Sequence, residues 1–213
     1  MKNYLFFVVV FIGSVNLFYS QTVTIGTQVW TTENLDVSTY RNGDVIPQVQ
    51  DRKKWGKLTT GAWCYFNNDP SNETKYGKLY NWYAVNDPRG LAPAGYHIPS
   101  DAEWTILTDY LGDGDAGTKM KSTSGWVEDC NGDDAIGFSG LPGGLRREDG
   151  TFSDIGSEVF WWSSTENLNS NLLAENIPIL VHYCNLYCNS IDGSAWRGSS
   201  SKESGFSVRC IKD

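Results

Sequence analysis

The sequence is poor in histidine, in basic residues and in long apolar runs, and each scarcity removes a class of function. Two histidines, His97 and His182, cannot build a histidine-rich zinc site. Lys and Arg number 17 against 25 Asp and Glu, a formal charge of −8. A chain this acidic has no electrostatic footprint for nucleic acid and is repelled by anionic membranes. The acidity reads as solubility outside the cytoplasm. Beyond residue 20 no segment is apolar enough to span a bilayer, which needs about 20 apolar residues. No Gly-x-Ser-x-Gly elbow is present, so a Ser-His-Asp triad has no local signal behind it. No cysteine precedes Cys64, which excludes the lipid-bearing cysteine of a bacterial lipoprotein at the N-terminal cut site.

What the chain does have begins at its N-terminus. Lys2 supplies a small positive region, Tyr4–Ile12 is unbroken and apolar, and a polar, small-residue stretch leads to Ser20. This pattern predicts a secretory signal peptide over residues 1–20, cut after Ser20. The apolar stretch is too short for a membrane anchor. Loss of Lys2 shifts the charge by one unit toward negative. The remaining residues 21–213 show no repeat and no linker, as expected of one domain. Export places the chain in the periplasm, at the cell surface or in the medium.

Nine Trp, eleven Tyr and nine Phe give a large apolar area for a core, and 22 Gly imply many turns. Val23–Trp30 alternates around Gly26 and predicts a hairpin. Ala62–Phe66 reads as a buried aromatic strand, and Leu79–Val85 fits either a short helix or a strand. The clearest helix runs from Ser100 to Gly112. Ser100 is the N-cap, Glu103 completes a capping box, and Trp104, Leu107 and Leu111 share one face. Leu141–Arg147 and Thr151–Ser153 flank an Asp149-Gly150 turn. Val159–Ser164, the alternating Ile177 to Tyr183 run and Phe206–Cys210 predict further strands, with Pro178 suggesting an edge. One or two helices among many short strands make an α+β fold.

Five segments occur here in order: 79–85 (LYNWYAV), 91–104 (LAPAGYHIPSDAEW), 141–144 (LPGG), 161–166 (WWSSTE) and 205–210 (GFSVRC). Together they resemble the Fibrobacter succinogenes major paralogous domain, found in secreted and surface proteins of Bacteroidetes-like bacteria. The resemblance covers residues 23–213. Tyr96–Trp104 and Gly205–Cys210 are also similar to the formylglycine-generating, sulfatase-modifying enzymes. The implied fold is a variant of the C-type lectin fold, with the N- and C-terminal strands paired in a small sheet. The resemblance implies no chemistry.

Five cysteines, Cys64, Cys130, Cys184, Cys188 and Cys210, can pair in an oxidising compartment, and an odd count leaves at least one over. Several two-bridge patterns are open. Cys64 and Cys210 sit in segments like those of the family, and the resemblance implies a bridge tying an early strand to the closing one. Cys184 and Cys188 lie where the formylglycine-generating enzymes carry a copper-binding pair, but with three residues between them where the enzymes have four. On a strand they share a face about 13 Å apart, too far for one metal or one bridge. They remain the one metal alternative, beside structural thiols or bridges.

Asp113–Asp115 and Asp129–Asp134 are oxygen-rich, but Gly140 stands where an EF-hand needs Glu, and the sugar-binding tripeptides of C-type lectins are missing. They read as acidic turns. His97 reads as a structural hydrogen-bonder. Trp161 and Trp162 must point to opposite faces of a strand, so at least one belongs to the core. Neither they nor Trp196 is assigned to a ligand. No catalytic cluster and no cofactor motif stands out. The expected function is a non-catalytic secreted or surface module that binds a glycan or a surface protein, or serves adhesion. A copper-dependent oxidase and a structural surface component are the alternatives.

Overall fold

Short segments with strong local turns build this chain. The computed structural model describes residues 21–112, 114–167, 179–188 and 193–213, which form a mixed α+β protein of mostly strands with a few short helices. Strands β1 (Thr22–Ile25) and β2 (Gln28–Thr31) make the expected hairpin around Gly26, whose φ of 59° suits glycine. Helix α1 (Arg52–Trp55), strand β3 (Trp63–Cys64) and helix α2 (Glu73–Tyr76) follow. The ambiguous Leu79–Val85 run is both things at once, strand β4 (Leu79–Asn81) and then helix α3 (Trp82–Val85). Asn81 makes the switch: its side chain accepts the Ala84 amide and caps the new helix.

Strand β5 (Tyr96–His97) leads into helix α4 (Asp101–Leu111), where the Ser100–Glu103 capping box is present and Trp104, Leu107 and Leu111 are buried. Helix α5 (Ala116–Met120) comes next. Strands β6 (Gly143–Arg146), β7 (Phe152–Ile155), β8 (Glu158–Asn167), β9 (Leu180–Tyr187), β10 (Trp196–Ser200), β11 (Gly205–Phe206) and β12 (Ile211–Lys212) complete the described chain.

The strands form two sheets. The small one runs β1-β2-β12-β5 and joins the two ends of the domain, with Ile211 opposite both Trp30 and His97. The large one runs β10-β9-β8-β6-β11-β4-β3, with β7 attached to β6. Three expectations need correction. Five α-helices form among the described residues where one or two were expected, four of them only four or five residues long. The strand after Pro178 is internal, because β9 begins at Leu180 and pairs with both β8 and β10; Ile177 and Pro178 lie outside the described residues. The strand expected over Phe206–Cys210 is broken: β11 ends at Phe206 and β12 begins at Ile211, although Ser204 to Ile211 are all buried. Its alternation separates two cores, with Phe206, Val208 and Cys210 in one, and the Arg209 guanidinium over Phe138 and Trp161 of the other.

Those cores lie on either side of the large sheet. One gathers Trp63, Trp82, Trp162, Val181, Phe206 and Val208. The other gathers Trp30, Trp104, Leu107, Phe138, Trp161 and Leu186 under α4. A third, smaller cluster surrounds Trp55, Cys64 and Phe66. Trp161 and Trp162 are both fully buried, one in each main core.

Candidate functional site

Pairing in the large sheet fixes which side chains share a face. In β8–β9, Glu158 stands opposite Tyr187, Phe160 opposite Asn185 and Trp162 opposite Tyr183. In β9–β10, Trp196 stands opposite Asn185, and Gly198 opposite Tyr183. Because side chains alternate along a strand, these residues all project from one side. At one end the rings are sealed. Trp162 stacks on Phe206 with centroids 4.1 Å apart, and Tyr183 meets Phe160 and Phe206 edge-on, each at 5.4 Å.

At the other end the same face opens to solvent. Trp196 is 51 % exposed, and its ring leans toward Tyr187 with centroids 6.2 Å apart. Tyr183, Asn185, Tyr187, Trp196 and Arg197 line a depression of about 240 Å³ there. Asn185 and Glu158 supply polar groups beside the rings, the Asn185 amide donating to Glu158 Oε2 at 3.2 Å. Burial and the nearby Asp154 carboxylate raise the Glu158 pKa, against the opposing pull of Asn185 and Arg147.

Local sequence explains how the depression is held. Gly198 lets the Tyr183 ring lie across β10, since a Cβ there would fall 2.5 Å from the tyrosine oxygen. Arg197 points to the opposite face and donates to the Asp101 carbonyl at 3.0 Å and to the Thr105 hydroxyl, tying β10 to α4. Cys188, next to Tyr187, is bridged to Cys130.

That bridge corrects the cysteine assignments. Cys64 and Cys210 are not joined: both are free and buried, in different hydrophobic clusters. Cys184 is free and buried in the other main core. Cys184 and Cys188 therefore do not form a thiolate pair, because strand geometry sends Cys184 into the core while Cys188, just past the strand end, reaches Cys130. Burial pushes the Cys64 thiol up to about 11 and the Cys184 and Cys210 thiols up to about 12, the state of inert core thiols.

The acidic turn over Asp129–Asp134 uses its oxygens on its own backbone. Asn131 accepts the Trp126 amide, Asp133 the Ala135 amide, and Asp134 the Ser139 amide and hydroxyl. Among the described residues no three His, Cys, Asp or Glu side chains gather as metal ligands; Asp113 of the other turn lies outside the described residues. His97 hydrogen-bonds at both ring nitrogens, to Asp213 at 2.8 Å and to Glu103 at 2.7 Å. Burial alone lowers its pKa, but the two carboxylates outweigh that and hold it above 6.5.

Trp161 and Trp162 drew attention in the sequence and are core residues; Tyr187 and Trp196 carry the open face. The signal for it was the period-two triplet Tyr183, Asn185 and Tyr187, an aromatic-polar-aromatic face. No helix among the described residues is long and apolar enough to cross a membrane. The sequence model of the Fibrobacter succinogenes major domain matches residues 23–212. No curated protein and no solved structure matches the chain.

Proposed function

The chain belongs to the Fibrobacter succinogenes major domain family, and from that premise we propose that it is an exported, non-catalytic module that binds glycans through the open aromatic face of β9 and β10. One observation carries the reading: an exposed Trp196 beside Tyr187, over a depression of about 240 Å³ with Asn185 at its base. Ring faces receive the apolar C–H side of a pyranose, while the amide serves its hydroxyls. The strands hold the rings in place, which limits the entropy lost on binding.

The proposal includes export by a signal peptide over residues 1–20, supported by Lys2, the apolar Tyr4–Ile12 and the polar stretch before Ser20. It also includes kinship of fold with C-type lectins and formylglycine-generating enzymes, supported by the β2–β12 pairing of the chain ends beside the capped helix α4. The copper-oxidase alternative loses its motive, since Cys188 is bridged to Cys130 and Cys184 stands alone in the core. Protein adhesion through the same face is the second reading, favoured by the exposure of Trp196 on an edge hairpin.

The test is a glycan array probed with the exported protein, its Trp196→Ala variant and its Trp196→Phe variant. The expected result is a glycan signal weakened roughly tenfold in W196A, the scale of one lost ring contact, and partly restored in W196F. A blank array, with a surface protein captured in a Trp196-dependent way, replaces the glycan by a protein partner. A signal indifferent to both variants removes the aromatic face from the reading.

A further inference from the structure

A second hollow lies elsewhere on the molecule, and its chemistry differs from that of the ring face. It is a cleft of about 860 Å³ lined by residues of 32–36, 71–77 and 139–141 together with Gln21 and Arg209. Its walls carry the carboxylates of Glu33, Asp36 and Glu73, the amine of Lys75 and the hydroxyls of Thr32, Ser71, Thr74 and Ser139. No aromatic ring lines it, so it is not a stacking site.

Arg209 is 2 % exposed and lines this cleft. Its guanidinium donates to Asn34 Oδ1 at 2.9 Å and to the carbonyls of Thr31, Phe138 and Ser139 at 2.7, 3.0 and 3.3 Å. All of these acceptors are neutral, and the guanidinium has one more N–H than the bonds use. Among the described residues no carboxylate forms an ion pair with it; Glu33 and Asp134 act only through their fields. Burial lowers its pKa to about 9. The guanidinium also lies over the rings of Phe138 and Trp161, at 4.7 and 5.6 Å from their centroids, so an anion would meet it only through the remaining N–H. Arg146, the other buried guanidinium, is held between the rings of Trp55 and Phe152 and takes no part in the cleft.

The walls carry charges of both signs. Asp36 and Glu73 are partly neutralised by the buried Lys78, which contacts both, and Glu73 also accepts the Tyr65 hydroxyl at 2.6 Å. Asp36 and Glu73 also hydrogen-bond to each other, so the Glu33 carboxylate, outside that cluster, is the wall acceptor for a donor. Sugar hydroxyls suit such walls because each donates to a carboxylate and accepts from Ser71 or Thr74.

We infer that the cleft is a binding site for a small sugar acid, its carboxylate on the spare N–H of Arg209 and its hydroxyls on the walls. The site is independent of the aromatic face. The experiment is calorimetric titration of the purified protein with glucuronate, glucose and glycine, repeated on Thr74→Trp, Trp196→Ala and Arg209→Lys. Thr74 is exposed, so T74W fills the cleft mouth without entering the core. Glucuronate is expected to bind about tenfold or more tighter than glucose, the scale of a hydrogen bond to a charged group. T74W should abolish that binding and W196A should leave it unchanged. Arg209 also holds core oxygens, so R209K is read beside a melting curve, and T74W carries the test if that variant unfolds. Equal binding of glucose, a match by glycine, no binding of glucuronate, or loss in W196A in place of T74W would each overturn the assignment. Loss of array signal in W196A with glucuronate binding intact would separate the two sites.

Discussion

Trp161 and Trp162 are neighbours in β8 and equally buried, yet the two sheet faces they serve end differently. On the Trp161 side, Trp104, Phe138, Leu186 and Cys184 close the face beneath α4. On the Trp162 side, the aromatic packing continues along Phe160 and Tyr183 and then stops, leaving Tyr187 and Trp196 at the surface. The same residue type therefore serves stability on one face and is available for recognition on the other. What separates the uses is whether another layer covers the ring.

The largest expected effect tests that contrast directly. Trp161→Ala opens a cavity under α4 and should lower unfolding free energy by about 3–5 kcal/mol, whereas Trp196→Ala should stay within about 0.5 kcal/mol. Urea denaturation of both variants measures the pair, and equal losses would erase the distinction between the faces. Next comes the bridge between Cys130 and Cys188, 58 residues apart, which anchors the end of β9 beside Tyr187. Replacing both cysteines by serine should lower stability by about 2–4 kcal/mol, and thermal melts with and without reductant should show the same loss in the wild type alone.

A smaller effect is expected from Gly198→Ala. Its new Cβ meets the Tyr183 hydroxyl and turns that ring off β10. A stability loss of about 1 kcal/mol is expected, with glycan binding reduced more than in a surface control such as Val45→Ala. Unchanged binding would show that the Tyr183 ring position is immaterial to the depression.

The smallest effect is the pH dependence of His97, which links β5, α4 and Asp213. Its folded pKa lies above the ordinary 6.5. The contribution is therefore complete below about pH 6.5 and is lost as pH rises through the folded value. The group is partly exposed, so screening keeps the effect below about 1 kcal/mol. His97→Gln should flatten the stability profile across that window, as read by denaturation at stepped pH; an unaltered profile would assign the dependence to other groups.

Local signals in the sequence carried far. The Ser100–Glu103 box, the period of Trp104, Leu107 and Leu111, and the Gly26 hairpin all formed as read, because each depends on contacts within a few residues. The Leu79–Val85 run was ambiguous for a reason: Asn81 ends a strand and caps a helix in one step. Pro178 misled because it precedes the paired part of β9 and says nothing about what lies on either side of it. Phe206–Cys210 misled because its alternation marks two environments, both core, without requiring one continuous strand.

Cysteine pairing was not legible, since a bridge depends on where strand ends meet. Cys188 reaches Cys130 only because β9 ends there, beside the loop after Trp126. The open face was half legible: Tyr183, Asn185 and Tyr187 announce a shared side, but exposure is a property of what else packs there. By itself the sequence determined the α+β class, the capped helix and the aromatic stock of the cores, all set by periodicity and short-range hydrogen bonding. Which thiols pair, which tryptophan remains uncovered and which arginine stands beside a cleft were decided only by the tertiary structure, because each depends on layers brought together from distant parts of the chain.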